Sequence, residues 1–153
     1  MVQLDSVITP GMIELDLKGK NKHEVVEELS HLLEKENKLI SKSEFISKVF
    51  EREATISTYC GYEVAIPHAI CSTVRQPAVC FGRSNGFYWE NSDEWVRYVF
   101  LFAMPKDNQH EEHIAIMSAI ARCSLDLKTR RVWQRVKTPE QFLESLRDSV
   151  AKE

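Results

Sequence analysis

Apolar and polar positions alternate over residues 12–17. Ile13, Leu15 and Leu17 fall on one side and Glu14 and Asp16 on the other, which predicts a half-buried strand. From residue 21 the period lengthens. Val25, Val26, Leu29, Leu32 and Leu33 line one face of a helix, and Asn21 with Glu24 three residues later makes its capping pair. Ser41 and Glu44 repeat that signal ahead of a second helix, whose inward positions are Phe45, Ile46, Val49 and Phe50.

Strand signals take over in the middle of the chain. Residues 64–66 form a short apolar piece ended by Pro67, and residues 78–81 read as a further strand. Residues 86–89 and 96–104 flank the polar stretch Asn91, Ser92, Asp93, Glu94 and predict a hairpin. The second arm carries only Arg97 as a charge, as expected of a central strand covered on both faces. Beyond Pro105 the pattern predicts a helix from about His110 to Arg122 and another opened by Ser124 toward Val136. The last helix is capped by Thr138, Pro139 and Gln141 and docked by Phe142, Leu143, Leu146 and Val150. The order is a strand, two helices, a cluster of strands and three helices. It predicts an α/β fold, with a mixed central sheet sandwiched between helix layers. With no repeat, low-complexity tract or Gly/Ser linker, residues 1–153 read as one domain.

Composition narrows the function. Apolar residues make up 43% and charged residues 28% of the 153, which excludes a disordered or collagen-like chain. A net charge of −3 gives no global attraction for nucleic acid or an anionic membrane. The longest apolar run, 99–104, is of strand length, far below the roughly 18 residues of a membrane helix. Residues 1–16 lack the basic-then-apolar pattern of a signal peptide, so a cytoplasmic location is expected. Cys60, Cys71, Cys80 and Cys123 form no C-x-x-C pair and read as reduced thiols, mostly buried.

The groups that can carry chemistry are few. Glycine-rich nucleotide loops, the nucleophile elbow and the H-E-x-x-H zinc motif are absent. His23 and His31 fall on the first helix and read as surface residues. His68 follows an apolar piece and a proline that removes a ladder donor, so the strand should end there and hold the ring rigidly at its tip. Strand ends are where open α/β sheets gather their sites. His110 and His113, three apart, share a helix face, but no third zinc ligand accompanies them.

The segment from Arg52 to His68 runs Arg-Glu-Ala-Thr-Ile-Ser-Thr-Tyr-Cys-Gly-Tyr-Glu-Val-Ala-Ile-Pro-His. It resembles the signature of the fructose/mannitol-type enzyme IIA domains of the bacterial phosphoenolpyruvate-dependent sugar phosphotransferase system. The resemblance extends to the opening strand-helix-helix, the strand ending in Met104-Pro105, and the helix start Glu112-His113-Ile114. It implies that His68 accepts a phosphoryl group from the phosphocarrier protein HPr and passes it to a IIB domain. It further implies that Arg52 lies near the phosphoryl group, Thr58 on the same turn, and His113 as a second active-site histidine. No metal, nucleotide or other cofactor is implied, because the donor is already a phosphohistidine. The chain departs from the pattern where the family usually has glycine, at Tyr59 and Glu63; only Gly61 is kept.

These residue types suit such a relay. Neutral imidazole is a nucleophile available near pH 7. A guanidinium offers a planar fork to phosphate oxygens, and a second imidazole or a hydroxyl can add a donor. Structural roles stand beside the chemical ones. Arg52 can complement the end of its helix and pair with Glu51 or Glu53, and Thr58 can simply close a turn. Phe87, Tyr88, Trp89 and Trp95 suit sheet packing more than a carrier-docking surface. Three functions fit the resemblance: a IIA phosphocarrier for a sugar permease, a regulatory IIA-like protein of the nitrogen-related type, and a non-catalytic interaction module of the same fold.

Overall fold

Asn21 and Ser41 each accept the backbone N–H three residues on, at 2.9 and 3.2 Å, and so start the first two helices. In the computed structural model, which describes residues 4–106 and 111–153, these are α1 (Lys22–Lys35) and α2 (Lys42–Thr55). His110 lies outside the described residues. The strands are β1 (Ile13–Glu14), β2 (Tyr59–Gly61), β3 (Val64–Ala65), β4 (His68–Cys71), β5 (Ala78–Tyr88) and β6 (Trp95–Pro105). Then come α3 (Glu111–Ser124), α4 (Leu127–Arg135) and α5 (Pro139–Ala151), the last capped by Thr138.

The sheet runs β1-β5-β6-β3-β2, and β4 also pairs with β6. β5 and β6 are antiparallel, whereas β1 on β5 and both β3 and β4 on β6 are parallel. β6 is therefore central, and its residues from Tyr98 to Met104 are buried, as its apolar run demands.

Side-chain alternation sorts the two layers. Phe81 and Phe100 are cross-strand partners and meet Trp133 of α4 and Phe142 of α5; the Phe81 and Phe142 rings stack at 3.8 Å between centroids. On the opposite face the buried Cys80 thiol points at the Leu29 carbonyl of α1. Arg83 ties layer to sheet by donating to Leu15 O just past β1 and to Trp133 O and Val136 O at the end of α4.

Four expectations need correction. The pieces 78–81 and 86–89 are one strand, β5, carried past an irregularity between Arg83 and Phe87. There Gly86 has φ +125°, and a Cβ would fall 1.9 Å from the Trp95 ring. Pro67 does not end the sheet pairing. Its carbonyl accepts the Phe102 N–H at 3.0 Å, and β4 continues alongside β6 from His68 onward. The first strand is shorter than the alternation 12–17: a 3-10 turn takes Met12, and pairing with β5 covers only Ile13 and Glu14. Ser124 closes α3 rather than opening α4: its hydroxyl donates to Ala121 O, and Asp126 takes the N-cap position.

The turn between β2 and β3 concentrates backbone strain. Tyr59 lies in the extended strand β2, while Tyr62 (φ +55°) and Glu63 (φ +67°) form the two-residue connection after Gly61 (φ +79°). Two successive positive φ values are what a tight hairpin needs. Neither residue is a glycine, and the left-handed conformation costs an L-residue about 1–2 kcal/mol. Glu63 also pairs with Arg97 at 2.9 Å. Glu63→Gly and Glu63→Ala both lose that pair, but only glycine relieves the strain. Glu63→Gly is expected to be the more stable of the two by about 1 kcal/mol, measured by thermal denaturation; equal midpoints would show no strain at this position.

Candidate functional site

His68 is the first residue of β4, half-buried, and set on the same face of the sheet as its partner Phe102. Its Nδ1 lies 3.1 Å from the Ile66 carbonyl oxygen. A carbonyl only accepts, so Nδ1 carries the proton, and in the neutral ring Nε2 holds the lone pair. The ring is thus fixed in one tautomer with its nucleophilic nitrogen turned away from the Ile66 carbonyl.

Two clefts meet at His68. One, of about 590 Å³, lies between α2 and β4 and is lined by Lys48, Arg52 and Lys106 as well as Glu44 and Glu51. The other, of about 370 Å³, is walled by Tyr59, Cys60 and Ile66 on one side and Ile114, Met117 and Ala121 of α3 on the other. Arg52 lines both. It sits in the last turn of α2, and its Nη1 donates to the Ile56 carbonyl at 2.8 Å, which leaves its remaining N–H groups for an anion. Lys48, not Arg52, pairs with Glu51.

Thr58 lines the smaller cleft, but its side chain is buried and its hydroxyl donates to the Glu53 carboxylate. Its single proton is therefore committed within the protein. Glu53 does not pair with Arg52; it turns inward. The Cys60 thiol faces the same cleft, and burial, with the Glu53 charge adding to it, pushes its pKa up. That favours the thiol over the more nucleophilic thiolate.

His113 lines neither of the clefts that meet at His68. Its helix walls the smaller cleft through Ile114, Met117 and Ala121, while His113 itself lines a separate small cavity with Val79, Phe102 and Met104. Its Nδ1 is buried without a hydrogen-bond partner among the described residues. Phe102 is common to both settings: it is the sheet partner of His68 and lines the His113 cavity.

The other candidates fall away from the site. His23 stacks on Phe50 with centroids 4.1 Å apart, and His31 is exposed beside Glu34. Phe87 and Trp89 are buried, whereas Tyr88 is exposed against Trp95. Cys71, Cys80 and Cys123 are buried free thiols. Among the described residues no cluster of three or more His, Cys, Asp or Glu could hold a metal ion, and no helix is long and apolar enough to cross a membrane.

Residues 6–149 match the family model described as phosphoenolpyruvate-dependent sugar phosphotransferase system, EIIA 2. The chain belongs to this family. Among curated relatives of this EIIA chain is the fructose-specific EIIABC component of Bacillus subtilis, 31% identical over 123 residues, 78% of this chain and 19% of that protein. The chain thus spans about a fifth of that relative's length. Among solved structures, the nitrogen regulatory protein IIA-Ntr of Neisseria meningitidis is 27% identical with a TM-score of 0.85, covering 94% of this chain and 98% of that one. IIA mannitol of Escherichia coli, 22% identical, shares the fold with a TM-score of 0.75 over 91% of this chain and 98% of its own.

Proposed function

We propose that this EIIA chain is a single-domain cytoplasmic phosphocarrier that takes a phosphoryl group on His68 from HPr and hands it to a IIB domain of a sugar permease. The observation that carries the reading is the His68 ring itself: Nδ1–H bound to the Ile66 carbonyl, the lone pair on Nε2, and Arg52 lining the clefts on either side.

The step balances without a metal or a proton acceptor. The Nε2 lone pair forms the new N–P bond as the donor's N–P bond breaks, and that electron pair returns to the donor's imidazole. The proton stays on Nδ1, bound to the Ile66 carbonyl, throughout. Arg52 stabilises the charge spread over the equatorial oxygens, the main task of a protein in phosphoryl transfer. For release, the acceptor's nucleophile attacks phosphorus and Nε2 takes its pair back. Thr58 serves from the wall of the smaller cleft, through its bonds to Glu53. His113 acts at one remove, backing Phe102 beside the nucleophile. His113→Ala is accordingly expected to slow onward transfer by less than about tenfold, under about 1.4 kcal/mol of barrier, measured by quenched-flow transfer to a IIB domain. A larger loss would place His113 at the phosphoryl group itself.

The test is incubation with phosphoenolpyruvate, enzyme I and HPr. The expected product is a stoichiometric phosphoprotein, acid-labile and alkali-stable as a phosphoramidate is. No uptake would leave an interaction module of the same fold. The likeness to a nitrogen regulatory IIA protein supports a second reading, in which His68 is phosphorylated but signals through protein contacts. Onward transfer to a IIB domain separates the two, since a regulator keeps its phosphoryl group.

A further inference from the structure

Glu53 is a buried carboxylate, 6% exposed, that the transfer chemistry does not use. Among the described residues no cation pairs with it. Three donors satisfy it instead. The Thr58 backbone N–H reaches Oε1 at 3.2 Å, the Thr58 hydroxyl bonds the same oxygen, and the buried Trp89 Nε1–H reaches Oε2 at 3.2 Å. A buried charge held only by such donors is a costly feature, and losing one partner exposes the full desolvation penalty.

What those bonds hold leads to the nucleophile. Thr58 is pinned at both its N–H and its hydroxyl. Its carbonyl accepts the Ile66 N–H at 3.0 Å, and the Ile66 carbonyl accepts His68 Nδ1–H at 3.1 Å. Glu53, Thr58, Ile66 and His68 therefore form one continuous chain of hydrogen bonds from the end of α2 to the ring. Trp89, just past the end of β5, fixes the carboxylate against the sheet. Each link joins a segment that sequence separation alone would leave free to shift.

We infer that Glu53 is a positioning residue for phosphoryl transfer: through Thr58 and Ile66 it holds His68 in the Nδ1–H tautomer with Nε2 presented to the donor. The inference rests on His68 being the phosphoryl acceptor. It also gives Thr58 its role, as the middle of the chain rather than as a ligand of the phosphoryl group.

In Glu53→Gln, one of the three donors faces an amide N–H₂ and the chain loosens. Nitrogen-15 NMR of the His68 ring in the unphosphorylated protein should change from the Nδ1–H tautomer to a mixture of the two. Phosphoryl uptake from HPr should slow about tenfold in kcat, the penalty of a misplaced reacting group, with KM for HPr unchanged because no docking surface is touched. Thr58→Val should reproduce both effects, and Thr58→Ser, which keeps the hydroxyl, should show neither. That pair decides the matter if Glu53→Gln fails to fold. A folded Glu53→Gln or Thr58→Val protein with the wild-type tautomer and rate overturns the inference. If the wild type accepts no phosphoryl group while the tautomer still shifts in the variants, the hydrogen-bond chain stands and the transfer reading falls.

Discussion

Replacing His68 by alanine is expected to abolish phosphoryl uptake and leave the fold intact. The ring is half-buried, and among the described residues its hydrogen-bond partner is Ile66 O. Truncation opens that carbonyl to the solvent of the clefts and creates no sealed cavity in the core, so the large costs of core truncation do not apply. The chemistry has no substitute among the neighbours. Cys60 is an exposed residue whose thiol pKa is pushed up rather than down, away from the thiolate, the Thr58 proton is held by Glu53, and His113 lines another cavity. Radiolabelled phosphoenolpyruvate with enzyme I and HPr should leave no protein-bound label in His68→Ala while its circular dichroism matches the wild type. Retained label would mean that another residue accepts the group.

Arg52→Lys is expected to cut the transfer rate ten- to a hundredfold, the loss of one charge-assisted contact of about 1.5–3 kcal/mol. Lysine keeps a cation in the last turn of α2 and can still donate to the Ile56 carbonyl, so the helix end should be as stable as before. It cannot reproduce the planar fork that meets two phosphate oxygens at once. Stability and rate are therefore expected to separate: an unchanged melting temperature with a slowed single-turnover transfer. A variant with wild-type kinetics would reduce Arg52 to a helix-end cation.

Much of this arrangement was legible in the chain because its causes are local. Asn21, Ser41 and Thr138 each cap a helix through a bond to the backbone three residues on, and such a bond leaves a fixed sequence spacing. The hairpin around residues 91–94 and the central position of β6 followed from polarity alone. What escaped was non-local. Nothing in the run 84–86 shows that Gly86 lies beneath the Trp95 ring, which lets β5 continue unbroken. The resumption of pairing after Pro67 depends on the Phe102 N–H, far along the chain. Nor does the sequence show that His113 lines a cavity with Val79 and Phe102, residues that come from two strands of the sheet.

Glu53 was the residue missed, and a signal for it exists. Phe45, Val49 and Glu53 are spaced four apart, so the carboxylate continues the buried stripe of α2. A charge on such a stripe has to find partners inside the protein, and an Arg-Glu pair at a helix end disguises it as an ordinary surface pair. Its indole donor, Trp89, lies 36 residues further along the chain, beyond reach of any local pattern.

The role of His68 stands or falls on which atom carries the phosphoryl group. Phosphorylate the protein through HPr and record phosphorus-31 and nitrogen-15 spectra under alkaline conditions, where the phosphoramidate persists. The geometry predicts one phosphorus bonded to His68 Nε2 and none on Nδ1, the nitrogen that faces the Ile66 carbonyl. A phosphoryl group on Nδ1, or on any residue other than His68, would contradict it.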